Sequence, residues 1–343
     1  MTTWIAPRGV HRYASFGRFF TRTFTVVVSL MAAMSVAVSG QDEPRPAQKT
    51  RPADDGGAGL SAQLKSASKR VAGEQTFTLK YKAEKDDLVR WKVVHLVTID
   101  TKIRGSEQTA KTRSVSTKLW KVSQVDAEGN ITFVHSIEAV DMWQSVTGRS
   151  EVRYNSRTDA TPPREYEAVA KSIGAPLATV TVSPFGRVVK RDGNQSQFNA
   201  GLGDLTIPLP EQPVKLGAKW NVPDEVRIRL EDGRVQKVQT RLTYTLDRVE
   251  TGVATILVKT EVLTPVNDPK VHAQLVQRLT NGSLKFDVDA GRLISRQMDL
   301  DETVVGFSGA DSVMQYLARL TEELVPAGQE AASAAKPTPA TKR

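Results

Sequence analysis

The sequence predicts an all-β fold with a minor helical part: long antiparallel strands in a curled sheet or half-barrel, arranged as two duplicated meander halves. Three observations predict it. Apolar and polar residues alternate with period two over unusually long runs, turn-forming residues separate those runs, and the second half repeats landmarks of the first in the same order.

The elements follow in chain order. Arg8, Arg12, Arg18 and Arg22 precede an uncharged apolar run from Phe24 to Val38, and small residues Ala37-Val38-Ser39-Gly40 close it. That order reads as a cleavable secretory signal over residues 1–40, with an uncleaved N-terminal anchor as the rival reading. The apolar run is shorter than the ~20 residues a membrane-crossing helix needs, so no stable span is expected after cleavage. Residues 41–73 are rich in Pro, Ala, Gly and charge and read as a disordered linker. Residues 74–325 form the expected β domain. Within it, Trp91, Val93, His95, Val97, Ile99 and Ile103 share one strand face. Ile131, Phe133, His135 and Ile137 alternate with Thr132, Ser136 and Glu138, and the same pattern recurs over Val235 to Leu246 and Ala254 to Leu263. Strands of such length reach about 50 Å and must curl or pair with another layer.

Hairpin turns are expected at Arg104-Gly105-Ser106, Asp126 to Asn130, Glu231-Asp232-Gly233, Glu250-Thr251-Gly252 and Asp289-Ala290-Gly291. A helix is expected over Arg164 to Ile173, closed by Gly174 and Pro176. Ser312 to Leu324 fits helical and alternating spacing almost equally and stays open. Residues 326–343 hold Ala, Pro, Thr and Lys and read as a disordered tail.

The repeat halves are about 76–160 and 214–305. Arg90-Trp91-Lys92-Val93 is answered by Lys219-Trp220-Asn221-Val222, Trp120 to Asp126 by Tyr244 to Glu250, and Val152-Arg153-Tyr154-Asn155 by Leu284-Lys285-Phe286-Asp287. Each meander has an apolar face it cannot cover alone, and two copies bury that face together.

Charge and cysteine content narrow the function classes. The formal charge is +9, and loss of the four signal arginines leaves +5 on the mature chain, with bases and acids interspersed. No nucleic-acid partner is expected from such a pattern. The chain has no cysteine, which excludes disulfides, thiol chemistry and a cysteine-linked lipid anchor.

Catalytic motifs are sparse, and no catalytic residue, metal ligand or cofactor is assigned. Gly306-Phe307-Ser308-Gly309 lacks nucleophile-elbow spacing, and Gly201-Leu202-Gly203 lacks phosphate-loop spacing. Of the four histidines, His11, His95, His135 and His272, His11 leaves with the signal; His95 and His135 lie on inward registers, where they could meet, but spacing ties no nucleophile to either. Asp287 with Asp289 and Asp299 with Asp301 put paired carboxylates on a strand face, yet lack the third acid and central Gly of a calcium loop.

Pro213-Val214-Lys215-Leu216-Gly217-Ala218-Lys219-Trp220 and Gly282 to Leu293, with its Phe286-Asp287 and Gly291-Arg292-Leu293, resemble a family of uncharacterised exported β-proteins of planctomycete-like bacteria. The resemblance spans roughly Phe77 to Leu324 and implies an envelope protein; it brings no catalytic residues. More distantly, the long curled sheet is similar to the lipoprotein-carrier half-barrels, which implies an apolar groove by analogy.

The leading expectation is therefore an exported, periplasmic or secreted, non-enzymatic protein that holds a lipid or hydrophobic partner on a concave sheet face. Trp91, Trp120, Phe133, Trp143, Trp220 and Tyr244 are the candidate ligand-binding residues. The alternative is a structural or protein-interaction module of the envelope, and a hydrolase using His95 or His135 stands third. A groove would leave those aromatic rings open to solvent, whereas a solid core would bury them.

Overall fold

The computed structural model describes residues 75–193 and 206–326. The expected signal peptide, linker, C-terminal tail beyond Pro326, His11 and Gly201-Leu202-Gly203 lie outside the described residues. In chain order the strands are β1 (Thr76–Phe77), β2 (Leu88–Ile103), β3 (Ser106–Val125), β4 (Ile131–Val146), β5 (Val152–Asn155), β6 (Pro176–Val182) and β7 (Val188–Asp192). They continue with β8 (Val214–Lys215), β9 (Lys219–Arg229), β10 (Val235–Glu250), β11 (Val253–Val262), β12 (Asn281–Asp287), β13 (Arg292–Val305) and β14 (Ser312–Leu324). Helix α1 (Glu167–Ser172) follows a 3-10 turn at Arg164–Tyr166, and α2 (Pro269–Leu275) runs into another at Val276–Arg278.

Among the described residues twelve strands form one antiparallel sheet, ordered β7-β6-β4-β3-β2-β14-β13-β12-β11-β10-β9, with β5 beside β4. The chain enters in the middle at β2 and meanders to the β7 edge. It then starts again at the opposite edge with β9 and meanders back until β14 pairs with β2. Both runs cross the sheet in the same direction. The two-stranded β1–β8 ladder stands apart from the large sheet.

The sheet is curled. Val180 of β6 and Leu246 of β10 belong to one core although their strands stand eight places apart in the sheet order. In a flat sheet that separation would be about 38 Å. Leu79 and Tyr81 from the segment before β2, and Ile207 and Leu209 from the segment before β8, complete this core between the two sides. The Tyr81 hydroxyl accepts the Ile207 backbone N–H at 2.9 Å.

At the other end of the long strands, short helices cover the concave face. Val169 of α1, with Tyr166, packs on Ile137, Val140 and Tyr154. Helix α2 divides its apolar side, with Ala273 against the β2, β13 and β14 ends and Val271 with Leu275 against β9 and β10.

The expected turns all connect hairpins, and Arg104 and Gly105 both take the positive φ that a two-residue turn needs. The expected first helix appears at 164–172. The ambiguous 312–324 segment is strand: placed between β13 and β2, its buried Ser312, Met314, Tyr316 and Glu322 keep period two. Helix α2 was missed in the sequence, although it carries a signal. Asp268 accepts the Lys270 backbone N–H as N-cap, Pro269 occupies the first turn, and Val271 with Leu275 share one face.

Candidate functional site

Cross-strand registers sort the concave face into rows running across the sheet. Nearest the aromatic end is a buried row of Val140, Ser116, Val93, Glu322, Arg296 and Leu284, taken from β4, β3, β2, β14, β13 and β12. The next row is Met142, Ser114, His95, Leu320, Met298 and Gly282, every one of them partly exposed. A third row runs Gln144, Thr112, Val97, Ala318 and Leu300; beyond the end of β12 it resumes as Thr260, Leu242 and Val222. Only Val97 in it is buried. Beyond these rows Ala110, Ile99 and Tyr316 are buried again at the α2-covered end. Past Gly282 the second row is buried again at Val258 and Tyr244, so the partly uncovered band spans β4 to β13 in the second row and, apart from Val97, follows the third row to β9.

This band is chemically two-sided. Across β13, β14 and β10 it presents Met298, Leu300, Ala318, Leu320 and Leu242, with Thr260 of β11 among them; across β4, β3 and β2 it presents Gln144, Thr112, Ser114 and His95, with Met142 beside them. A cavity of about 230 Å³ opens where β12 stops short of its neighbours, lined in part by Thr260, Leu279, Asn281, Leu300 and Glu302.

An ion cluster lies under the band. Lys118 and Arg296 both donate to the carboxylate of Glu322, and the three side chains are 1%, 4% and 0% exposed. Burial pushes the Glu322 carboxyl up, but Arg296 and Lys118 outweigh it and hold the group below the usual range. The Lys118 ammonium also stands 4.9 Å from the Trp91 ring centroid and 5.7 Å from that of Trp120. The cluster joins β3, β14 and β13 across the seam where the last strand meets the first. Its members are 204 and 26 residues apart in the chain, so no local pattern signals it.

The expected ligand-lining aromatics are placed otherwise. Trp91, Trp120, Phe133 and Tyr244 are buried in the main core, and Trp220 packs against it. Trp120 stacks on Phe133 at 4.0 Å between centroids and Trp220 on Tyr244 at 5.6 Å. The Trp91 indole donates to the Leu293 carbonyl and that of Trp220 to the Pro208 carbonyl. The void beside Trp91 and Trp120 measures about 20 Å³, room for about one water. By the criterion of solvent-open rings, this end is solid core. Trp143 leaves the set altogether. A β-bulge at Glu138 shifts the register, so Trp143 faces Arg113 on the convex side, where its indole donates to Glu151.

His95 and His135 both face inward but do not meet. His95 lies level with Ser114 of β3 and His135 with Trp120, six residues on, or roughly 20 Å along the strand. Burial, then the Lys118 charge, pushes His135 down to about 4, and burial lowers His95. The acid pairs serve other ends. Asp287 accepts the backbone N–H groups of Asp289 and Ala290 to shape the β12–β13 turn, and Asp299 takes Arg319 and Gln297. Among the described residues no group of three or more acids or histidines is placed to hold a metal. Ser308 sits in a turn held by Ser312, whose hydroxyl accepts its N–H. No helix among the described residues is long and apolar enough to cross a membrane.

No family model and no curated protein matches the chain, so the resemblance read from the Pro213 and Phe286 motifs rests on those motifs alone. Solved structures give low-scoring likenesses. A lipovitellin structure concerned with lipid–protein interactions aligns over 71% of this chain and 25% of its own, at 11% identity and a TM-score of 0.39. The present chain therefore spans a quarter of that relative's length. DynF from the dynemicin biosynthesis pathway of Micromonospora chersina aligns over 74% and 85%, at 7% identity and 0.19. A DUF1329 family protein from Desulfovibrio piger aligns over 68% and 83%, at 10% identity and 0.12. None of these scores reaches that of a shared fold.

Proposed function

We propose that this is an exported, non-enzymatic binding protein that holds a lipid or other hydrophobic partner along the uncovered band of its concave sheet face. The supporting observation is the band itself: apart from Val97, the residues of two neighbouring rows remain partly exposed, while most of those in the rows on either side are buried. The aliphatic contacts come from the partly exposed Leu320 and from the open sides of Leu242 and Met298, which edge the main core, and of Leu300 and Ala318, which edge the cluster under α2. They replace the aromatic set as the residues expected to touch the partner. An apolar ligand laid there removes aliphatic surface from water without opening the packed core.

The test is uptake of a dansyl-labelled fatty acid by the mature chain, with native mass spectrometry and organic extraction of protein from its own envelope. Uptake that falls more than tenfold in Leu300→Asp or Leu320→Asp, but not in Leu257→Asp on the convex face, supports the band. No uptake by the unaltered protein, and a bare mass from the envelope, overturns it. In that event the structural or protein-interaction reading leads, which the closed packing of Trp91, Trp120, Phe133 and Tyr244 favours.

A further inference from the structure

We infer that the partner is an aliphatic chain carrying an anionic oxygen headgroup, with the head over the polar side of the band at Ser114, Thr112 and His95 and the chain along Leu320, Leu300 and Leu242. This assignment of orientation and ligand class rests on the binding reading above.

Three observations carry it. First, the polar side contains hydroxyls with nothing to bond: the Ser114 and Ser116 Oγ atoms are buried, and neither has a hydrogen-bond partner. Ser116 is 2% exposed and lies one place along the inner face of β3 from Ser114. A buried hydroxyl without a partner is costly, so a strand that carries two of them on one face is arranged to receive an acceptor. Second, bases stand beneath this side: Lys118 and Arg296 both donate to the Glu322 carboxylate, and Lys118 shares the inner face of β3 with both serines. Third, among the described residues the remaining inward carboxylates of the long strands stand on the other side. Asp224 of β9 and Glu302 of β13 lie one row past Val222 and Leu300, where they oppose an anionic head and fix the direction of the chain. From Leu320 on β14 to Val222 on β9 the band crosses five strand spacings, about 24 Å, which accommodates an extended acyl chain.

The test compares palmitate, cetyl alcohol and cetylamine on the full mature chain at pH 8 by isothermal titration, with a monoacylglycerol phosphate as a fourth ligand. Palmitate, the phosphate or both are expected to bind about tenfold tighter than the alcohol, the effect of one charge-assisted hydrogen bond. Which of the two leads identifies a free fatty acid or a phospholipid as the source. Ser114→Val, and separately Thr112→Val, should bring the affinities for palmitate and for the alcohol together. Equal affinity for acid and alcohol, or tighter binding of the amine, overturns the headgroup assignment and leaves the hydrophobic site standing. Failure of all four ligands to bind overturns both.

Discussion

Acid should destabilise this protein through His135 before its carboxylates begin to titrate. His135 is buried on the inner face of β4 and held neutral, its pKa pushed down to about 4 by desolvation and then by Lys118. In the unfolded chain the ring titrates near 6.5. A base whose folded pKa is depressed leaves the unfolded state binding more protons between those two values, so stability falls as pH drops from 6.5 toward 4. At pH 5 the linkage amounts to roughly 2 kcal/mol. For a domain of this size that lowers Tm by about 4–8 °C. His95, lowered by burial, adds in the same direction. The assay is urea unfolding at intervals from pH 7.5 to 4.5, a window above most of the carboxylate range, on wild type, His135→Gln and His95→Gln. His135→Gln should flatten most of the slope. A wild-type profile level to within about 0.5 kcal/mol from pH 7 to 5, or a slope unchanged in His135→Gln, would refute the reasoning that burial holds this ring neutral.

Two further outcomes follow from packing. Glu322→Gln should cost about 3–5 kcal/mol, because it strands the Lys118 and Arg296 charges in the interior, whereas the combined Lys118→Met, Arg296→Met and Glu322→Leu replacement should be close to neutral; differential scanning calorimetry of both variants checks this, and equal losses would contradict it. Phe133→Ala, in the closed aromatic core, should lose about 3–5 kcal/mol, while Trp143→Ala on the convex face should lose under about 1 kcal/mol; chemical denaturation midpoints decide, and similar losses would place Trp143 back among the core aromatics.

Much of the architecture is legible in the chain because it depends on local rules. Alternation of Trp91, Val93, Val97 and Ile99 needs only period two to put those residues on one buried face, and they are buried there. The turn residues act over two to five positions, and the 164–172 helix ends where Gly174 and Pro176 require. The site is less legible, because a face identified by alternation is not thereby a surface. The large aromatics that alternation selects are the side chains best able to fill the curl, and the tertiary structure uses them for that.

By itself the sequence determined the strand class, the long strands, the hairpin turns and the inward registers of His95 and His135. Only the tertiary structure decided which inward residues stay uncovered. One bulge at Glu138 moved Trp143 to the opposite face, since a single extra residue inverts everything after it in a period-two strand. The pairing of β14 with β2 brought Glu322 between Lys118 and Arg296 and set Leu320 level with His95, partly exposed, while Leu300 and Ala318 pack at the edge of the cluster under α2. Those outcomes depend on contacts between residues some two hundred positions apart, where curl and register are set by the sum of the packing and not by any one segment.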